Sequence, residues 1–246
     1  MNPLQPIRGL ARRLRNHARA ARRGLLSARL QELTFQSGLG DSAFLLYGLV
    51  KAAKPKVVVE IGSARGRSTC FMGLALKENG SGKLYAIDPH TETAWNDLDS
   101  VDTYGILKSN VNSLGLKGIV EIRRNTSNEV ASGWTESIDI LFIDGDHSYE
   151  GAKRDWDLFS PFVQPFGSVV FHDTLWDLKP DPQYSRPDMG VPRLVDELRE
   201  QGYPVLTLDQ NFGVSLIQPV RKGVALRPTD APDPYPSGSL LEDRIG

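Results

Sequence analysis

The stretch VVVEIGSARGRST, Val57 to Thr69, decides what kind of sheet this chain can build. Three valines and an isoleucine, interrupted only by Glu60, read as a strand buried on both faces. Gly62 and Gly66 follow at once, and the run after them reads as the start of a helix. A strand that passes into a helix through glycines is the opening unit of a doubly wound α/β sheet, where ligands bind beyond the carboxyl ends of the strands. Glycine there removes the Cβ that holds a ligand away from the backbone. The spacing is G-x-x-x-G. It matches neither the dinucleotide pattern G-x-G-x-x-G nor a phosphate loop, which needs Gly-Lys-Ser/Thr. A tight strand–helix turn that binds nothing has the same glycines, so they speak for architecture before ligand.

The chain on either side repeats the unit. Short apolar runs at 84–88 (LYAID), 119–123 (IVEIR), 138–144 (IDILFID) and 168–172 (SVVFH) alternate with helical patterns near 67–79, 103–114 and 148–163. Such alternation predicts a parallel sheet covered on both faces. Ala152, Trp156, Phe159 and Val163 form an apolar stripe at helical spacing, and Pro165 with Gly167 punctuates before the next strand. Upstream, DSAFLLYGLVKAAKP reads as a helix capped by Asp41 and stopped by Pro55. Downstream, 175–190 is rich in proline and aspartate, the texture of a lid or binding loop, with Trp176 and Tyr184 either selecting an acceptor or anchoring the loop. VPRLVDELREQG resumes as a helix. YPVLTLD and GVSLIQP, joined by QNF, read as an antiparallel hairpin at the sheet edge.

The 246 residues, 40% of them hydrophobic and 24% charged, suit one large soluble domain with appendages. A formal net charge of −1 gives no general attraction to nucleic acid. The single cysteine, Cys70, excludes an intrachain disulfide and a multi-thiolate zinc site, and it fits a reducing, cytoplasmic setting. No run is long enough to span a membrane, and no secretory signal is seen. Three segments result: a basic helical arm at 1–35, a folded domain at 36–219, and a proline-rich tail at 220–246. The arm carries eight arginines (8, 12, 13, 15, 19, 22, 23 and 29) and no acid through residue 30, with Leu10, Leu14 and Ala18 on one face. It is read either as a solvated or partner-packed helix or as an amphipathic helix on an anionic membrane surface or protein.

Asp88 closes the second apolar run, some twenty residues beyond the glycines. An acid there is the usual partner of ribose hydroxyls, so the pair favours a ribose-bearing cofactor; alone, Asp88 is equally a helix cap. FIDGDHSYEG, Phe142 to Gly151, then crowds Asp144, Asp146, His147 and Glu150 after a buried strand, and GSVVFHDT places His172 and Asp173 at the end of the next. Asp146, Ser148 and Glu150 lie where a helix begins and read as its polar start. Lys153, Arg154, Asp155 and Asp157 read as a solvated face, with Asp155 also able to support a site residue.

Together, E-x-G-x-x-x-G, the strand-ending acid, DILFIDGDHSYEG and GSVVFHDT resemble class I S-adenosylmethionine-dependent methyltransferases. The likeness is strongest to small bacterial O-methyltransferases related to sugar O-methyltransferases and cephalosporin hydroxylase-like proteins, over roughly 36–219. The resemblance implies a Rossmann-like, doubly wound α/β fold with a seven-stranded sheet whose last strand is antiparallel. It implies that Glu60, Gly62, Ser63 and Gly66 hold the methionine part of S-adenosylmethionine, that Ser68 also contacts the cofactor, that Asp88 takes the ribose, and that RRNTSNEV lines the adenine through Thr126 and Ser127. Thr126 or Ser127 is equally able to cap the following helix. Asp144 falls beside the reactive sulfonium. In metal-dependent relatives the positions of Asp144, His172 and Asp173 bind a divalent ion, Mg²⁺ or Mn²⁺; magnesium prefers oxygen ligands, whereas imidazole suits manganese, iron or zinc. His147 stands where some sugar O-methyltransferases place a base, and an alcohol needs its proton removed to attack a methyl carbon.

The expected activity is therefore O-methylation of a small-molecule or sugar/glycan acceptor, metal-assisted or not, with Asp144 and His147 in the catalytic roles. A metal-dependent oxygenase on the same fold and a noncatalytic cofactor-binding partner are the alternatives. A homo-oligomer and a peripheral membrane or protein contact through the arm are further expectations. Nucleic acid is not expected as a substrate, since no Asn-Pro-Pro-Tyr-like motif is present and the core lacks a basic stripe.

Overall fold

A computed structural model describes residues 37–91, 101–178 and 186–219. The basic arm, the C-terminal tail and Tyr184 fall outside the described residues. The elements are α1 (Ser42–Ala53), β1 (Val57–Ile61), α2 (Arg67–Asn79), β2 (Lys83–Ile87), α3 (Thr103–Ser113), β3 (Val120–Arg123), α4 (Ser127–Ala131), β4 (Ile138–Ile143), α5 (Tyr149–Phe159), β5 (Val163–His172), α6 (Val191–Glu200), β6 (Val205–Leu208) and β7 (Val214–Ile217). The seven strands lie in the order β3-β2-β1-β4-β5-β7-β6. β1 to β5 pair in parallel, and β7 is antiparallel to both β5 and β6. The expected hairpin is present, but its second strand slots inward beside β5 and leaves β6 as the outer strand.

Strand alternation explains why continuous apolar runs were needed. Side chains two apart share a face, so each buried strand must feed two cores. Val58, Ile140, Phe142 and Val170 join one cluster, with Leu46 and Val50 of α1, Phe71 and Leu74 of α2, and Leu107 of α3. Val59, Ile61, Leu141 and Ile143 join the other, with Trp156 and Phe159 of α5 and Leu194 and Leu198 of α6. Ala152, Trp156 and Phe159 of the expected stripe are buried on α5, Trp156 and Phe159 each stabilising the fold by about 1.5–3 kcal/mol, whereas Val163 falls beyond the helix and starts β5.

Two local readings differ from the structure. Pro165 and Gly167 do not precede β5; they lie within it. Ile138 pairs with Val163 and Ile140 with Ser168, so β5 takes five steps where β4 takes two. The excess forms an exposed bulge at 164–166, where a proline without an N–H is tolerated. Asp41 stands at the N-cap of α1, as expected, but makes no side-chain cap hydrogen bond. The helix ends as expected, with Lys54 in a left-handed conformation before Pro55.

Candidate functional site

The turn after β1 is built by steric exclusion. Gly62 has φ +85°, and a Cβ on it would lie 2.0 Å from the carbonyl oxygen of Asp144. The Asp144 N–H donates to the Ile61 carbonyl at 2.8 Å. The glycine turn and the end of β4 are therefore in direct backbone contact. Gly66, with φ +87°, leaves room for Leu107 in the same way.

Asp88, at the end of β2, turns its carboxylate into this loop. Oδ2 accepts the N–H groups of Ser63 at 2.9 Å and Ala64 at 2.8 Å, and Oδ1 accepts that of His90 at 2.7 Å. The backbone donors that would hold a pyrophosphate in a dinucleotide site are thus occupied by an acid of the protein itself. Glu60 lies beneath the turn, with no exposed surface. Its Oε2 accepts the Thr69 hydroxyl at 2.5 Å, while Oε1 and the buried Ser63 hydroxyl have no hydrogen-bond partner. Burial is the main cause that pushes the Glu60 carboxyl up to about 8, with the charges of Asp144 and Asp88 adding to it against hydrogen bonds from Ser68 and Thr69. Ser68 is buried at the head of α2.

Adjacent strand ends bring four ionisable side chains together. His172 Nδ1 lies 3.3 Å from Asp144 Oδ1 and 3.0 Å from Asp173 Oδ1, the latter a close ionic contact without hydrogen-bond geometry. His147 reaches from the β4–α5 turn: Nε2 is 3.5 Å from Asp144 Oδ1 and Nδ1 is 3.2 Å from Asp173 Oδ2. Burial alone would raise the Asp144 carboxyl, but the charge of His172 and hydrogen bonding from His147 and His172 hold it below the carboxylate range. Burial likewise disfavours both imidazolium ions, and the two carboxylates outweigh it: His147 is raised, and His172 is pushed up to about 10. Asp173 has φ +60°, a left-handed conformation that is rare outside glycine and that aims its carboxylate back at both rings.

Asp144, His147 and Asp173 each offer a donor atom, all within 4.8 Å of one another. The histidine of this triad is His147, not the expected His172, whose Nε2 is buried without a hydrogen-bond partner. Two carboxylates and one imidazole fit a divalent ion, with the nitrogen donor favouring manganese, iron or zinc over magnesium.

The flanking segments divide by role. Thr126 caps α4 in a capping box: its hydroxyl accepts the Glu129 N–H at 3.3 Å, and Glu129 accepts the Thr126 N–H at 2.8 Å. The T-x-x-E spacing signals this box in the sequence. Ser127 donates to the buried Asp155 at 2.5 Å, so Asp155 ties α4 to α5 and is not part of the solvated face. Ser148 caps α5 through the Gly151 N–H, and Asp146 accepts the Ser148 N–H. Trp176 stacks on Phe212 with ring centroids 4.1 Å apart, which makes it an anchor for the loop after β5. Two participants escaped the sequence reading. Gly190 donates its N–H to the His147 carbonyl at 2.8 Å, and a Cβ there would meet the Tyr149 nitrogen at 2.1 Å. His90 follows Asp88, with φ +52° and its Nδ1 3.0 Å from the Thr103 hydroxyl.

Comparison with known proteins agrees with this geometry. Residues 59–174 match a family model described as a methyltransferase domain. A protein of Acanthamoeba polyphaga mimivirus is 30% identical over 121 residues, 47% of this chain and 50% of that protein. One from Sinorhizobium fredii is 26% identical over 145 residues, 54% of this chain and 15% of that protein. The chain thus spans half or less of the curated relatives it matches. Among solved structures, the methyltransferase PaMTH1 of Podospora anserina, bound to S-adenosylhomocysteine, aligns with a TM-score of 0.57 at 15% identity, covering 72% of this chain and 77% of that one. The O-methyltransferase TomG of Streptomyces achromogenes, in complex with S-adenosylmethionine, aligns with a TM-score of 0.55 at 18% identity, covering 72% and 78%. Residues 59–174 therefore resemble a methyltransferase domain, and the sheet shares its fold with solved methyltransferase structures.

Proposed function

We propose that the protein is an S-adenosylmethionine-dependent O-methyltransferase acting on a hydroxyl of a small-molecule or sugar/glycan acceptor. One observation carries the reading: the glycine turn and the acid–base cluster are locked together through the Gly62–Asp144 backbone contact. A ligand seated on the turn is thereby held beside a histidine. S-adenosylmethionine, when bound, supplies an electrophilic methyl carbon attached to a sulfonium. The chain's part is to bind, orient and deprotonate. Asp88 presents its outer lone pairs toward ribose hydroxyls while gripping the loop. His147 accepts the acceptor's hydroxyl proton as the oxygen lone pair forms the new carbon–oxygen bond and the carbon–sulfur bond breaks. Asp173, 3.2 Å from Nδ1, orients the neutral ring so that Nε2 takes the proton, and with Asp144 it favours the charged form once the proton has arrived. A divalent ion held by Asp144, His147 and Asp173 would instead lower the hydroxyl's pKa itself, with His147 serving as ligand and not as base. The Streptomyces neighbour is an O-methyltransferase, which supports the choice of oxygen as acceptor.

Calorimetry with S-adenosylmethionine, S-adenosylhomocysteine and NAD tests the cofactor: the first two bind and the third does not. An acceptor screen by mass shift tests the chemistry. His147→Ala lowers kcat by about 10²–10⁴-fold and leaves cofactor affinity within about threefold. Absence of binding by either adenosyl compound sinks the proposal. Full activity after exhaustive chelation removes the metal from it.

A further inference from the structure

Asp173 sits in a backbone conformation that its neighbours must enforce. Its φ of +60° is left-handed, and a residue with a Cβ stays there only where the chain is held on both sides. Strand β7 and the turn before it provide both holds. On one side His172 is in register with Val214. On the other, the Thr174 N–H donates to the Gly213 carbonyl at 3.3 Å and the Leu175 N–H to the Phe212 carbonyl at 2.8 Å. The bond nearer Asp173 is the longer of the two, and a side chain reinforces it. Thr174, 4% exposed, accepts the Ser215 hydroxyl on its Oγ1 at 2.9 Å.

Alternation puts Ser215 on the same face of β7 as Ile217, among the apolar side chains beneath α6, with no exposed surface. A hydroxyl there costs free energy unless it is bonded. Ser215 Oγ also lies 2.8 Å from Thr207 Oγ1 of β6, and Arg199 of α6 donates to Thr207 at 3.2 Å. Ser215 spends its single proton on Thr174, so Thr207 supplies the proton of the 2.8 Å contact. Arg199 can only donate, so it starts the row. The row runs from Arg199 through Thr207 and Ser215 to Thr174 and stops beside Asp173. The other end of α6 reaches the other half of the same pair, since its N-cap, Gly190, donates to the His147 carbonyl. The His147 turn and the Asp173 turn are thus fastened to one helix.

We propose that Thr174 and Ser215 are positioning residues which, with His147 as the base proposed above, hold the Asp173 carboxylate against Nδ1 of His147 and so keep Nε2 aimed at the acceptor. Neither hydroxyl bonds to the acid–base cluster; both act through the backbone of Asp173. Without their contact Asp173 relaxes out of the left-handed region, and its carboxylate leaves the ring nitrogen from which it now lies 3.2 Å away.

The test compares three variants of the full chain, each shown to be folded by its melting temperature. Thr174→Val keeps the shape and loses the hydroxyl, Ser215→Ala removes the donor, and Thr174→Ser keeps the hydroxyl. Two readouts are taken: kcat beside the Kd for S-adenosylmethionine, and the imidazole nitrogen resonances of His147 at one fixed pH, assigned through His147→Gln. Thr174→Val and Ser215→Ala lower kcat by about tenfold, leave the Kd within about threefold, and shift the His147 nitrogens. Thr174→Ser matches wild type in both readouts. Either hydroxyl-free variant suffices should the other fail to fold. Unmoved nitrogen resonances in the hydroxyl-free variants overturn the inference. An equal loss in Thr174→Ser overturns it too, since the contact is then one of packing, and so does a Kd that weakens in step with kcat. If the wild type transfers no methyl group, the proposed function fails by itself, and the nitrogen resonances alone decide whether the two hydroxyls hold Asp173 against His147.

Discussion

Replacing Glu60 by glutamine isolates a single buried charge. Burial in the turn pushes the Glu60 carboxyl from its ordinary 4.5 to about 8. The folded protein therefore holds the proton more tightly than the unfolded chain does. The resulting stabilisation is complete below the unfolded value and is lost as pH rises from 4.5 through about 8. At about 1.36 kcal/mol per unit, the full loss is about 5 kcal/mol, and about 3 kcal/mol of it has gone by neutral pH. The residue has no exposed surface, so solvent screening does not reduce the figure. Glutamine keeps the volume, still accepts the Thr69 hydroxyl, and is neutral throughout. Chemical unfolding at a series of pH values from 5 to 9, on wild type and Glu60→Gln, checks this through the difference between the two curves, in which other titrating groups cancel. The difference is near zero at the acid end and grows in favour of the variant by a few kcal/mol toward pH 9. Parallel curves, separated by a constant amount, would refute the account of Glu60 as a buried, protonated acid.

Gly62→Ala forces a side chain into left-handed backbone and onto the Asp144 carbonyl; a loss of about 2–4 kcal/mol in unfolding free energy is expected, together with loss of S-adenosylmethionine binding by calorimetry. Gly190→Ala leaves its own backbone conformation acceptable but collides with Tyr149, so it should lower kcat through the displaced His147 turn while changing the cofactor Kd little. Asp88→Asn removes the charge that three N–H groups share; stability should fall by about 2 kcal/mol, and cofactor affinity should fall with it. Trp176→Ala unstacks Phe212 and should lower stability by about 1–2 kcal/mol, read as a Tm shift, with cofactor binding intact.

The strands that carry the site were legible because burial on both faces demands continuous apolar runs, and VVVEI and IDILF supply them. The convergence of strand ends was legible too, since parallel pairing puts Asp144 and His172 at the same edge. Three features depend on pairing between distant segments and were not. The position of β7 between β5 and β6 follows from which strand the hairpin's second arm meets. The bulge at Pro165 arises from a register mismatch with β4, which a loop signal resembles when read alone. Gly190 gave no local sign of function, because its need for a hydrogen in place of a methyl comes from Tyr149, some forty positions away. The choice between His147 and His172 as third donor was likewise a matter of side-chain direction, set by the unusual φ of Asp173 and by the Gly190 bond to the His147 carbonyl.

Asp88 shows how a shared architecture narrows to one class of ligand. The strand–glycine–helix unit offers free N–H groups, and in dinucleotide sites those groups meet a phosphate. Here the N–H groups of Ser63 and Ala64 meet the Asp88 carboxylate instead. A phosphate at the same point would face a fixed negative charge, with Glu60 beneath it becoming a second above its raised pKa. A sulfonium carries positive charge, and the amino acid part of S-adenosylmethionine adds an ammonium group. The carboxylate that repels a pyrophosphate attracts those groups. The missing middle glycine of the dinucleotide pattern and the inward turn of Asp88 therefore express one constraint, in which backbone donors are satisfied internally, and this supports the proposed cationic ligand over a phosphate.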